Sequence, residues 1–252
     1  MQPGFEERAV AFLDVLAFKD LVIGAESVAS KFNRLMSLKT VVDAHVRWDN
    51  RNLVASVPDS IKPRYIFISD SIIITSRLRD GKHSGFVAVT LKSIEITHKL
   101  LAMGFLVRGA VSVGPVFHDD RNIFGSGYVS AYLAETTAVH PRVVLTSEAK
   151  NHLQREKSDT GSAAFGRLVG EYEGASIVET LNSNYLPDAN EFGRIESGYK
   201  QYRAHICTNL QTLPLGSPGR SKWEWMVGFF NRALEEFRVD VAPIDVLPMP
   251  DI

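Results

Sequence analysis

Apolar residues along the first half of the chain switch between strand-like and helix-like spacing. The first segment, AVAFLDVL, is apolar except for one acid, which is typical of a buried strand. Two β-rich arms around Ser69-Asp70-Ser71 predict a tight hairpin, and Gly104 ends a later amphipathic segment. The predicted elements are a strand at 9–16, a helix at 26–48, a hairpin at 64–75, a helix at 85–103 and a strand at 105–113.

This order of elements predicts an α+β fold. Strand, helix, strand, strand, helix, strand is the ferredoxin-like βαββαβ unit, an antiparallel sheet with two helices on one face. The remaining chain is expected to add, in order, a hairpin at 116–124, a helix at 127–137, a strand at 143–146, a loop at 158–166, a strand at 175–181, a turn-rich link at 182–190 and helices at 191–210 and 223–237. We therefore interpret residues 1–150 as the core, and residues 151–252 as an extension packed on it without independent stability.

Composition narrows the possible functions. The 252 residues include 28 basic and 29 acidic side chains, a formal net charge of −1. Nucleic-acid binders and membrane-surface proteins usually carry a basic excess, so we expect neither partner and interpret the Arg220–Trp225 segment as part of a core helix. We also expect a soluble, cytoplasmic protein, because the chain shows no apolar run of about 20 residues and no signal-peptide core. The single Cys207 allows no internal disulfide.

Two acids stand where strands are predicted to end. Asp14 interrupts the first apolar run, and Asp70 lies at the hairpin tip. In a βαββαβ sheet these strands lie side by side, and two converging carboxylates repel each other unless a hard cation such as Mg²⁺ or Mn²⁺ lies between them. The alternative is that Asp14 caps the following helix and that Asp70 is ordinary turn chemistry. We interpret His118-Asp119-Asp120 as a solvated turn and not as a metal cluster.

Four segments in sequence order resemble the class III nucleotide cyclases. They are FLDVLAFKD, FISDSIIIT, VRGAVSVG and NIFGSGYVSAYLAE, which span roughly Val10 to Glu135. Arg108-Gly109-Ala110 and Leu133-Ala134-Glu135 are most similar to the bacterial pyrimidine (uridylate and cytidylate) cyclases of the Pycsar anti-phage system. The resemblance implies conversion of a nucleoside triphosphate to a 3′,5′-cyclic nucleotide and pyrophosphate, with two Mn²⁺ or Mg²⁺ ions in each site.

The resemblance also implies roles for individual residues. Asp14, Asp70 and the Val15 carbonyl would bind the metals. Backbone amides of Leu16, Ala17 and Phe18, at a helix start, would hold the β- and γ-phosphates. The candidates for a cation that meets transition-state charge are Arg108, Arg121 and Lys19. Arg108 has an alternative role as a partner in an ion pair inside the sheet.

Other family positions carry different residues here. Ile66 stands where purine cyclases have an adenine-selecting Lys, and Ser126 where they have a base-binding Asp. The Asn and Arg that grip ribose and transition-state phosphate fall on Val129 and Leu133. The loss of purine contacts beside retained acids predicts a pyrimidine substrate, UTP before CTP. Tyr65 is the candidate wall that would select the smaller base, or else an ordinary strand aromatic.

Assembly and signalling are further implications of the resemblance. Class III cyclases pair head to tail with shared active sites, so we expect a homodimer, and we expect a separate effector protein that reads the cyclic nucleotide. Two alternatives stay open. One is a purine cyclase with relocated base contacts, and the other is an inactive cyclase-like module that binds a nucleotide as a sensor.

Overall fold

A single large sheet is the centre of the α+β fold. The structure is a computed structural model that describes residues 4–46, 58–160, 167–185 and 195–245. The elements up to the end of the second predicted helix are β1 (Glu6–Val15), α1 (Phe18–Ala25), α2 (Ala29–Val46), β2 (Arg64–Ile68), β3 (Ser71–Arg77), β4 (Arg79–Asp80), β5 (His83–Ser84) and α3 (Gly85–Ala102). The elements that follow are β6 (Val107–His118), β7 (Ile123–Phe124), α4 (Ser126–Thr137), β8 (Val143–Leu145), α5 (Ser147–Thr160), β9 (Val169–Tyr172), β10 (Ala175–Val178), α6 (Ile195–Thr212) and α7 (Pro218–Glu236).

The strand order confirms the ferredoxin-like unit. The sheet runs β2-β3-β1-β6-β8-β10-β9, and its first four strands are antiparallel neighbours. β1 is the central strand of that unit, since it pairs with β3 on one side and with β6 on the other. β8 then joins β6 in parallel, and β10 and β9 extend the same sheet. The predicted division at residue 150 falls inside α5.

Strand alternation gives the sheet two different faces. Ala9, Ala11 and Leu13 of β1 point into the main core beneath α3. Val10 and Phe12 point to the opposite face, where α4 packs on β1 and β6. A separate cluster joins α6 and α7 to the sheet, centred on side chains such as Tyr199, Tyr202 and Phe230. α3 thus covers one face of the ferredoxin-like unit and α4 the other, while α6 and α7 pack in the separate cluster.

The structure corrects several of the predicted elements. The helix expected at 26–48 is preceded by a separate helix, α1, which the sequence pattern did not reveal because only Leu21 of its eight residues is fully buried. β6 continues through Gly114-Pro115 as far as His118, although a break was expected there. α5 covers the start of the predicted 158–166 loop, and β9 was not predicted. Residues 186–190 of the predicted 182–190 link lie outside the described residues.

Within the described residues, no helix combines the length and apolar character needed to cross a membrane.

Gly125 provides a test of how α4 is attached to the sheet. It precedes α4 with φ 140° and ψ 164°, and a Cβ there would lie 2.3 Å from the carbonyl oxygen of Pro115. We expect Gly125→Ala to lower the free energy of unfolding by about 2–4 kcal/mol, measured by urea denaturation. Gly81 is the control, since it has φ 57° and nothing within 4 Å of its added Cβ. Gly81→Ala should cost only about 1 kcal/mol, and equal losses would contradict the assigned contact.

Candidate metal and nucleotide site

Asp14 lies near the end of the central strand, on the face that α4 covers. Its register partners are Ser71 on β3 and Arg108 on β6. The Asp14 side chain is only 17% exposed, so most of its hydration is lost. A carboxylate in such a place requires a compensating charge or donor.

Arg108 supplies part of that compensation from the neighbouring strand. Its Nη2 lies 3.4 Å from Oδ2 of Asp14, and its Nε donates to Glu135 of α4 at 2.6 Å. Its Nη1 donates to the Ala138 carbonyl at 3.0 Å. Glu135 is itself buried, with a side chain 5% exposed. Arg108 is therefore the paired residue of the alternative interpretation, held between an acid on the sheet and an acid on α4.

Asp70 is brought to the same end of the sheet by the hairpin turn. The turn between β2 and β3 consists of Ser69 and Asp70, and Ser69 adopts a left-handed φ of 58°. The Val15 amide donates to the Asp70 carbonyl at 2.9 Å, which ties the hairpin tip to the end of β1. The two acids that the sequence singled out are neighbours in the fold.

The local charge balance raises the pKa of Asp14 to about 6. Burial is the main cause, and the negative charges of Glu135 and Asp70 add to it. Arg108 and Lys222 act in the opposite direction. Lys222 belongs to α7, so the last helix that the structure describes reaches the electrostatic environment of this site.

The residues present fit a divalent cation whose remaining ligands come from outside the protein. In the described part of the chain, no group of three His, Cys, Asp or Glu side chains is arranged to hold a metal. Two carboxylates with an excess of negative charge are nevertheless a common protein contribution to Mg²⁺ sites, where substrate phosphates and water complete the coordination. Asp14 and Asp70, with the Val15 carbonyl beside them, match that donor set.

The predicted phosphate-binding amides are only partly available. The Leu16 amide donates to the Leu106 carbonyl at 2.9 Å, so Leu16 does not contribute as expected. Ala17 is the N-cap of α1 and has a left-handed φ of 64°, an uncommon conformation for a residue with a Cβ. Ala17 and Phe18 stand at the helix start, where backbone N–H groups favour anions.

Tyr65 lies on the wrong face of the sheet for its predicted role. It packs against the main core, opposite Ile74 of β3, whereas Asp14 lies on the α4 face. Successive side chains on a strand point to opposite faces, so Ile66, next in the chain, shares the face of Asp14. The base-selecting wall therefore cannot be Tyr65 within one copy of the chain.

The structure places three further residues named from the sequence in different settings. Arg121 follows β6 at the far end from Arg108, about 30 Å along a strand of 12 residues. His118 is not a solvated turn residue, because it is 7% exposed and its Nδ1 lies 2.6 Å from Oγ1 of Thr75. Lys19 is exposed in the first turn of α1.

Two residues whose charges act on Asp14 were not named as site candidates from the sequence. Glu135 offered a weak signal, since it is an acid between apolar residues in a predicted helix that belongs to a recognised segment. Lys222 offered none, because nothing in the spacing of α7 relates it to β1. Both depend on which helix packs on which face.

Comparison with known proteins gives distant likenesses only. No known family profile and no curated protein match the chain. Among solved structures, the guanylyl cyclase Cya2 is 12% identical with a TM-score of 0.42, covering 69% of this chain and 91% of its own. The catalytic core of a rhodopsin-guanylyl cyclase with converted specificity, in complex with ATPalphaS, is 10% identical with a TM-score of 0.37, covering 69% and 96%. A class III adenylyl cyclase-like ATP-binding protein from Pseudomonas aeruginosa is 12% identical with a TM-score of 0.38, covering 84% and 45%. Likenesses at this level do not assign an activity.

The raised pKa of Asp14 predicts a pH-dependent stability. Without metal, the folded state holds the Asp14 proton up to about pH 6, whereas the unfolded chain releases it near 3.8. The free energy of unfolding therefore falls as pH rises from about 4 to 6. Asp14→Asn removes this loss and should stabilise the EDTA-treated protein at pH 8 by about 1–3 kcal/mol, with little difference at pH 4.

Thermal unfolding at both pH values measures this effect. Asp20→Asn, an exposed acid in α1, is the control and should show no such pH-dependent difference. A variant Asp14→Asn that is less stable than the wild type at pH 8 would contradict the assigned charge balance.

Proposed function

We propose that the protein is a metal-dependent nucleotide cyclase of the class III type, acting on a pyrimidine nucleoside triphosphate. The observation that carries the proposal is the convergence of Asp14 and Asp70 at the end of the central strand, linked by the bond from the Val15 amide to the Asp70 carbonyl. The negative groups around Asp14 support divalent-cation binding there. The start of α1 next to these acids supports binding of a polyphosphate.

The proposed reaction is an intramolecular phosphoryl transfer. The substrate's 3′-hydroxyl oxygen forms a bond to its own α-phosphorus, the bond from that phosphorus to the β-phosphate oxygen breaks, and pyrophosphate leaves while the hydroxyl proton passes to water. Bound Mn²⁺ or Mg²⁺, two ions per site, would lower the pKa of the attacking hydroxyl and neutralise phosphate charge. Asp14, Asp70 and the Val15 carbonyl would hold the ions, and the Ala17 and Phe18 amides would orient the phosphates.

The proposed preference for a pyrimidine base rests on the absence of the purine-binding side chains at positions 66 and 126. Ile66 lies on the α4 face of the sheet as an apolar side chain, and Ser126 begins α4 with a short hydroxyl. An adenine edge left without partners in a closed pocket costs roughly 1–3 kcal/mol for each unmet group. We therefore favour UTP or CTP, with UTP first, and name a purine triphosphate as the alternative substrate.

A second candidate function is an inactive nucleotide-binding sensor. Val129 and Leu133 are 48% and 55% exposed on α4, where the resemblance implies an Asn and an Arg that act in the transition state. That observation favours binding without turnover. The two acids favour the cyclase, because a module that only binds a nucleotide does not need two carboxylates at a metal position.

The resemblance also supports a signalling role for the product. A 3′,5′-cyclic pyrimidine nucleotide would act on a separate effector protein in anti-phage defence. This part of the proposal depends on the cyclase activity and fails with it.

Turnover of the four triphosphates tests the proposal directly. Each of UTP, CTP, ATP and GTP is incubated with the protein and Mn²⁺, and the cyclic product and pyrophosphate are quantified. We expect a pyrimidine to have the highest kcat/KM, with ATP about two to four orders of magnitude lower. Asp14→Ala and Asp70→Ala should each lower kcat about a thousandfold or more, whereas Asp20→Ala should not.

The outcomes of this assay separate the candidates. ATP or GTP as the best substrate would replace the pyrimidine assignment with the purine alternative. Tight nucleotide binding without any cyclic product would favour the sensor. Near-normal turnover by either acid variant at saturating Mn²⁺ would contradict the metal assignment.

We further propose that the active form is a homodimer. α4 exposes Val129, Tyr132 and Leu133 on the same side of the sheet as Asp14, and Ile68 beside Asp70 is 58% exposed. Apolar surface concentrated around one site usually marks a protein interface. A second copy placed over this face would cover the apolar side chains and would add groups to a site that is incomplete in one chain.

Sedimentation at assay concentration tests the dimer. We expect the wild type to be dimeric, and Leu133→Asp to be monomeric, folded and inactive, because it places a charge within the apolar surface. Leu215→Asp is the matched control, since Leu215 is 73% exposed in a loop before α7. A fully active protein that is strictly monomeric would contradict the arrangement.

A further inference from the structure

α7 is anchored against the part of the chain that directly follows the candidate metal ligands. Trp223 is 6% exposed and belongs to the same buried cluster as Leu16 and Leu106. Those two residues are joined by the 2.9 Å bond between the Leu16 amide and the Leu106 carbonyl. Leu16 lies two positions after Asp14, and Leu106 two positions before Arg108, so the beginning of α7 shares a buried cluster with chain neighbours of both site residues.

A second contact sets the orientation of this helix. Trp225 stacks on His140 with ring centroids 5.1 Å apart and planes 10° apart, and its indole N–H donates to Glu173 at 2.7 Å. His140 lies in the loop after α4, two positions after Ala138, whose carbonyl accepts from Arg108. α7 therefore shares a buried cluster with the turn after β1 and contacts the loop that holds Arg108.

Lys222 precedes both anchors, in a half-exposed position next to Trp223. The ion pairs that the structure describes on α7 are made by Arg220 and Arg232, and none of them involves Lys222. The charge on Lys222 nevertheless acts on Asp14. Arg108, the other cation that acts on Asp14, is already bound by Glu135.

We propose that Lys222 is a polyphosphate-binding residue of the Asp14–Asp70 site, supplied by the C-terminal region of the chain. The inference rests on the proposed function in that the bound ligand is a nucleoside triphosphate. A triphosphate that enters a site with two carboxylates needs positive groups, and the half-exposed ammonium of Lys222 can supply one. Leu133, where the resemblance implies an Arg, supplies no such charge.

Binding of inorganic triphosphate, measured by isothermal titration calorimetry on the full-length protein with Mn²⁺ present, tests the inference without requiring turnover. We expect Lys222→Gln to weaken binding about tenfold or more, and Lys222→Arg to stay within about threefold of the wild type, because it retains the charge. Lys200→Gln, an exposed lysine on α6, is the control and should bind as the wild type does.

A second variant locates the lysine relative to Asp14. Without metal, Asp14→Asn should bind inorganic triphosphate more tightly than the wild type, since one repelling charge is lost. The double variant that also carries Lys222→Gln should lose this gain in affinity. Thermal unfolding confirms that each variant is folded. Wild-type affinity in Lys222→Gln would overturn the inference.

The outcome is independent of the cyclase assay. Lysine-dependent triphosphate binding by a protein that makes no cyclic nucleotide would leave the inference standing and remove the proposed reaction. If the protein makes a cyclic nucleotide but Lys222→Gln does not change its triphosphate affinity, the proposed reaction stands and the inference about Lys222 is wrong.

Discussion

A partly desolvated carboxylate at the end of the central strand is the constraint around which this site is built. β1 is paired on both sides, so the backbone at Asp14 cannot move away from the sheet interior to reach water. Desolvation of a carboxylate costs several kcal/mol unless opposite charge is close. Arg108 offsets only part of that cost, because Glu135 shares the same guanidinium. The remaining negative charge is what makes a divalent cation favourable at this position.

α4 connects the charge cluster to the surface of the molecule. Its inner side carries Glu135 to Arg108, and Ala131 packs in the small cluster with Phe12. Its outer side exposes the apolar residues Val129, Tyr132 and Leu133. One helix therefore holds the Arg108 guanidinium beside Asp14 and presents the surface on which the proposed partner subunit would lie. A displacement of α4 would alter both.

The region after residue 150 is structurally continuous with the first half of the chain. β10 and β9 extend the central sheet through β8, and α7 packs on residues that flank the site. In the proposed enzyme this region has two consequences. It adds two strands to the sheet beyond β8. It would also bring Lys222 to the site, whose helix α4 has Leu133 where the resemblance implies an Arg.

The sequence alone determined the elements whose signals are local. The alternating and clustered apolar residues of β1, the two arms of the hairpin and the amphipathic α3 were sufficient to predict their order, and that order led to the ferredoxin-like unit. Asp14 and Asp70 could be named for the same reason, since each interrupts or ends an apolar strand. The residues next to an acid in the sequence are sufficient to predict whether it lies at the end of its strand.

Only the tertiary structure decided which groups meet. The face on which Tyr65 lies depends on the register of β2 against β3, and a shift by one residue would reverse it. The pairing of the Leu16 amide with Leu106 depends on strands distant in sequence. Glu135 meets Arg108, and the charge of Lys222 acts on Asp14, because whole helices pack on particular sheet faces, which is settled by the burial of many side chains together. Spacing along the chain carries no information about such contacts.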